Sequence, residues 1–135
     1  MLTHLSIRDI VLIDRLDLAF ENGLAVLTGE TGAGKSILLK SLSLLMGEKA
    51  EADIVRTGVE SAVIEGLFSL NERPDVIKAL EELGIESADD TLIVRRIVSA
   101  QGKGKVYLNG ALSPLSSLRG IVAPLITLTG KHTPL

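Results

Sequence analysis

Eight consecutive residues, Gly29-Glu30-Thr31-Gly32-Ala33-Gly34-Lys35-Ser36, constrain this chain more than any other feature. Gly29, Gly34, Lys35 and Ser36 match the spacing Gly-x-x-x-x-Gly-Lys-Ser, and Gly32 adds another unhindered backbone position. Glycines at these places let successive backbone N–H groups turn inward into an anion-binding nest, and a helix opening there adds the positive end of its dipole. In such a loop the lysine reaches the β- and γ-phosphates and the hydroxyl ligates Mg²⁺. The motif predicts ATP with Mg²⁺, held by Gly29, Glu30, Thr31, Gly32, Ala33, Gly34, Lys35, Ser36 and the adjoining Ile37, with Ser36 on the metal.

The flanking sequence supplies the context that the motif needs. Leu24 to Leu27 is a short apolar run that reads as a strand. From Lys35 to Met46, residues Ile37, Leu38, Leu42, Leu45 and Met46 fall at helical spacing, and Gly47 is placed as a C-cap. Strand, glycine loop and helix follow in the required order.

Further strands are predicted over Leu2 to Ile7, Leu16 to Phe20, Ala62 to Leu70, Thr91 to Val98 and Val106 to Leu108, with one more over Leu125 to Leu128. Asn22-Gly23 reads as the hairpin turn between the second strand and the strand before the loop, and Asn109-Gly110 as another turn. Residues 101–105 read as a glycine-rich hairpin. Pro74 to Leu83 reads as a helix with proline at its start and Gly84 at its end.

With 46% hydrophobic and 23% charged residues in 135, the chain reads as one globular domain. Fourteen Lys and Arg against seventeen Asp and Glu give a net charge of −3, which excludes a broadly basic nucleic-acid footprint but leaves room for a local one. Phe20, Phe68 and Tyr107 are the aromatic residues, too few for a base-stacking platform. No cysteine is present, so disulfides and thiolate metal sites are excluded and a reducing compartment fits. No signal peptide and no membrane-spanning run is read, and the expected location is cytoplasmic.

Other charged residues allow two readings each. Arg56, in the loop after the first helix, points to a phosphate or DNA, or is solvated. Arg95 and Arg96, adjacent in a strand, face opposite sides of the sheet, where cross-strand ion pairs are expected. Lys103 and Lys105 form a basic hairpin tip that touches DNA or is a soluble turn. His4 and His132 lack neighbours at metal-ligand spacing, so no zinc site is assigned. Downstream of the loop no apolar strand ends in the acidic residue that an ATPase of this class needs, and Asp89-Asp90 lies in a turn-like context. The chain is thus equipped to bind nucleotide and poorly equipped to hydrolyse it.

The opening MLTHLSIRDIVLIDRLDLAFENGLAVLTGETGAGKSILLKSLSLLMGEKAEADIVRTG, and then LIVRRIVSAQGKGKVYLNG, resemble the N-terminus of the RecN family of bacterial DNA repair proteins, within the SMC and Rad50-like branch of ABC-type ATPases. The resemblance covers nearly the whole chain. It implies an α/β P-loop NTPase fold: the N-terminal lobe of an ABC/SMC-type ATPase head, with a mixed β-sheet and a helix after the phosphate loop. Residues 1–135 would be the N-terminal half of the head, with the coiled coil and the C-terminal half lying outside. Implied partners are that C-terminal half, a second head in a head-to-head homodimer sandwiching ATP, and DNA in double-strand break repair; no membrane is implied. Arg56 falls where related heads place an arginine near nucleotide or DNA.

One departure stands out. The family's His-Gly-Gln-His-Glu type motif corresponds to Thr129-Gly130-Lys131-His132-Thr133, and Lys131, where glutamine is expected, has no acceptor for metal or water. Two other function classes share the loop. One is an independent small P-loop protein or kinase, although the arginine-rich lid of such kinases is not found. The other is a non-catalytic module that pairs through its sheet edges.

Overall fold

A computed structural model describes residues 1–20 and 32–126. Six strands form one sheet: β1 (Leu2–Ile10), β2 (Ile13–Ala19), β3 (Ser61–Ser69), β4 (Thr91–Ser99), β5 (Gly104–Leu108) and β6 (Ala111–Ser113). Their order is β2-β1-β3-β4-β5-β6, and every pairing among the described residues is antiparallel. The strand expected at 24–27 and the Asn22-Gly23 turn lie outside the described residues.

β3 and β4 alternate strictly between buried and less buried positions, as strands with one covered face must. Ala62, Ile64, Gly66 and Phe68 face inward beside Leu92, Val94, Arg96 and Val98. The helices α1 (Gly32–Leu45) and α2 (Pro74–Glu82) contribute Leu38, Leu42, Leu44, Leu45, Val76 and Leu80 to the same core.

Two expectations are corrected. The first two strands, expected over Leu2 to Ile7 and Leu16 to Phe20, run to Ile10 and start at Ile13, and they form a hairpin through Val11 and Leu12, with Ile10 opposite Ile13. No turn-forming residue marks it, and Val11 sits at φ 52, a left-handed conformation unusual for a β-branched side chain. The strand predicted from Leu125 does not begin there. Leu115–Ser117, Leu118–Val122 and Ala123–Leu125 make one helical run, 115–125, which ends in a 3₁₀ turn. Leu118, Val122 and Leu125 are buried at three- and four-residue intervals, the spacing of a helix face, and Pro124 suits a tight turn. Thr127 and Leu128 lie outside the described residues.

Among the described residues, no helix is long and apolar enough to cross a membrane.

Candidate nucleotide site and the helix that carries it

α1 opens at Gly32, inside the glycine motif and three residues earlier than its apolar periodicity indicates. The backbone of Gly32, Ala33, Gly34 and Lys35 therefore forms the first turn, whose N–H groups have no acceptor within the helix. No acidic side chain occupies that turn to offset the positive end of the dipole. N–H groups without an acceptor inside the helix, a first turn free of acid and a lysine-serine pair fit a polyphosphate with its metal. Ser36 is exposed on the helix, as a metal-ligating hydroxyl requires, and Ile37 is half-buried against the core. Gly29, Glu30 and Thr31 lie outside the described residues, as does Lys131.

The helix is seated on the sheet by close approach at Gly66. A Cβ there would lie 3.0 Å from Leu45 Cδ1, 3.1 Å from Phe68 Cε1 and 3.3 Å from Leu2 Cδ1. The absent side chain lets α1 settle onto β3.

At its far end α1 closes in a Schellman motif. Gly47, at φ 101, takes the left-handed position; the Glu48 N–H donates to the Ser43 carbonyl at 3.1 Å and the Gly47 N–H to the Leu44 carbonyl at 3.2 Å. The predicted C-cap at Gly47 is thus observed. The last turn of α1 has no basic residue of its own. Two arginines come from elsewhere. Arg96 Nη1 of β4 donates to the Leu44 and Glu48 carbonyls, both at 2.6 Å. Arg119 Nε of the helical run 115–125 donates to the Gly47 carbonyl at 3.0 Å.

Arg96 is 6% exposed. Burial first, and then the charge of Arg119, pull its pKa below the usual arginine value. The cross-strand ion pair expected for Arg96 is not what forms, and among the described residues Arg95 makes none either, although Glu65 stands opposite it. Inward register turns Arg96 away from the solvent-facing carboxylates and toward the helix end. The clue was in the sequence: an arginine sharing the parity of Leu92, Val94 and Val98 belongs to the covered face.

Arg56 is fixed by its backbone and its side chain. Its N–H donates to the Asp9 carbonyl at 2.8 Å, and Val11 N–H to the Ile54 carbonyl at 2.7 Å, so this loop pairs with the β1–β2 hairpin. Its Nη1 lies 3.0 Å from Asp14 and 3.5 Å from Asp9. The side chain is 41% exposed, an ion-paired surface arginine rather than a freely solvated one.

The hairpin lysines belong to a larger feature. Lys103 and Lys105 line a groove of about 530 Å³ with Lys49, which follows α1, and with Arg96, Leu112 and Pro114. No Asp or Glu is among its lining residues. Gly104 lies hard on β4, since a Cβ would come 2.8 Å from the Ile97 carbonyl oxygen.

A helix that opens from a phosphate-loop motif and packs on this sheet defines the N-terminal lobe of a P-loop NTPase head. The chain belongs to the AAA domain family, which it matches over residues 4–119. It is 42% identical over 132 residues to the DNA repair protein RecN of Bacillus subtilis and 43% identical to that of Halalkalibacterium halodurans. Each match covers 98% of this chain and 23% of the relative, so the chain spans about a quarter of their length. An SMC ATPase structure concerned with ATP-driven dimerization and DNA-stimulated activation superposes with a TM-score of 0.72 at 19% identity, covering 99% of this chain and 85% of that one. The recombination mediator RecF bound to ATP superposes at 0.59, covering 84% of this chain and 27% of RecF. These likenesses place the fold among SMC and RecF heads.

Proposed function

We propose that this chain is the ATP-binding part of a RecN-like DNA repair ATPase head, able to bind ATP with Mg²⁺ and unable to hydrolyse it alone. The observation that carries this reading is the start of α1 inside the glycine motif with no acid in its first turn. Residues 29–34 would wrap the phosphates with backbone N–H groups, Lys35 would neutralise the β- and γ-oxygens, and Ser36 would hold the magnesium. The metal, when bound, supplies charge neutralisation between the phosphates.

In this reading residues 1–135 are the N-terminal half of the head. The catalytic acid comes from a C-terminal half, and two heads sandwich ATP face to face. The cationic groove at Lys49, Lys103 and Lys105 supports contact with DNA phosphates without base reading. Arg56 remains a candidate contact for nucleotide or DNA, reached by exchanging Asp9 and Asp14 for the ligand. The proposed location is the cytoplasm, at the nucleoid.

Calorimetry with ATP and Mg²⁺ tests the binding. The chain should bind, and Lys35→Ala should abolish binding; equal affinity in the two would overturn the assignment. ATPase activity should appear on mixing with the C-terminal half of a RecN protein, and steady turnover by the chain alone would defeat the half-site reading.

A further inference from the structure

We propose that Arg96 is a positioning residue for the phosphate loop, setting nucleotide affinity from the opposite end of α1 without touching the nucleotide. The inference rests on the nucleotide-binding reading above. α1 has 14 residues and is roughly 21 Å long, so Arg96 acts at a distance.

The physical problem is register. α1 packs on the sheet through Leu38, Leu42 and Leu45, and apolar contacts of this kind are non-directional. They hold the helix down but specify its axial and rotational setting weakly. The hydrogen bonds of Arg96 are directional. One nitrogen joins the Leu44 carbonyl in the last turn to the Glu48 carbonyl beyond it, tying the helix end to a central strand flanked by β3 and β5. Arg119 fixes the Gly47 carbonyl lying between those two in sequence. A loop mounted on the other end inherits that setting, and small displacements of phosphate-binding groups are costly.

Stability alone argues against an arginine here. The position is buried, a second guanidinium stands near, and no carboxylate pairs with it among the described residues. An apolar side chain of similar volume in place of a buried charge is often neutral or stabilising. What an apolar residue cannot do is grip two carbonyls.

The test uses Arg96→Met, Arg96→Lys and Leu80→Ala, the last a core truncation in α2 that lowers stability and removes none of the hydrogen bonds anchoring α1's end. All are compared at a temperature where circular dichroism finds each folded. Arg96→Met should weaken ATP–Mg²⁺ binding by about twofold to thirtyfold, the range over which residues that do not touch a ligand modulate its site. Arg96→Lys should recover part of the loss, and Leu80→Ala should keep full affinity despite a lower Tm. Unchanged affinity in Arg96→Met, or an equal loss in Leu80→Ala, would overturn the proposal. Amide hydrogen exchange without nucleotide separates the two readings. Arg96→Met should speed exchange along residues 36–42 more than Leu80→Ala does, even if the chain binds no ATP, and equal exchange in both would sink the positioning role by itself.

Discussion

Arg119 lies across Gly47, with its Nε donating to the Gly47 carbonyl at 3.0 Å and its Cγ in the space that a Cβ on residue 47 would need. The glycine is required twice, by its φ of 101 and by this crossing. Gly47→Ala should cost about 2–4 kcal/mol, combining left-handed backbone strain with overpacking. Urea unfolding midpoints measure it. Gly47→Ala in an Arg119→Ala background should recover the overpacking part, and no recovery would mean that backbone strain is the whole effect.

Gly66 and Leu45 define how closely α1 approaches the sheet. Gly66→Val should cost about 1–3 kcal/mol because three side chains already crowd the site. Gly66→Val combined with Leu45→Ala should cost less than the sum of the two single changes, since the truncation vacates the space the valine needs. Additive losses in a double-mutant cycle would contradict this packing.

Asn109 ties three segments together. Its Oδ1 accepts from Ile93 N–H at 2.7 Å, and its Nδ2 donates to the Glu86 and Thr91 carbonyls at 2.7 and 3.1 Å. It also holds φ 49 in the turn joining β5 and β6. Asn109→Ala should destabilise by about 0.5–1.5 kcal/mol, the net worth of bonds whose partners water can reach. Asn109→Gly relieves the backbone and loses the bonds, so a full rescue by glycine would show that the bonds contribute little.

Asp17 accepts from Ser6 Oγ at 2.7 Å and Arg15 Nε at 2.8 Å. The Ser6 bond first, and Arg15 second, hold its carboxyl below the usual range. Because the folded value is depressed, the unfolded chain binds the proton more readily. The contribution is full above the unfolded pKa of about 3.9 and is lost as pH falls through the lower folded value. The stability gap between the wild-type chain and Asp17→Asn should be visible at neutral pH and close in strong acid. Because the group is exposed, the gap should also shrink in high salt.

DNA affinity should report the groove through its salt dependence. If Lys49, Lys103 and Lys105 each meet a phosphate, changing them to Gln should weaken duplex binding uniformly across sequences. Each replacement should flatten the log–log salt slope by about 0.9. Fluorescence anisotropy at several salt concentrations gives the slope, and an unchanged slope would remove the groove from the DNA interface.

Much of this fold could be read from residue type because neighbours in sequence carry the signal. The alternation in β3 and β4, the Asn109-Gly110 turn and the Gly47 cap each depend on a few adjacent positions. The β1–β2 turn could not be read, because Val11 and Leu12 are held by Ile54 and by the hairpin rather than by their own preference. β6, three residues long, gives too short a pattern to detect. At the candidate site the motif signalled a helix after the glycine loop, although α1 starts at Gly32 rather than at Lys35, and the anchors of its far end were invisible. The acceptors of Arg96 lie about fifty residues earlier and are backbone carbonyls, which no side-chain pattern encodes.

The position of β1 in the sheet also bears on synthesis. β1 can pair with β2 as soon as the hairpin leaves the ribosome, but its other edge waits for β3, more than fifty residues later. At ~5–20 residues per second that edge stays open for roughly 3–10 seconds. During that interval the nascent chain carries an apolar strand, with Leu5, Ile7 and Ile10, uncovered on one side. Codons that slow translation before residue 61 would lengthen the exposure and increase the demand for chaperone cover.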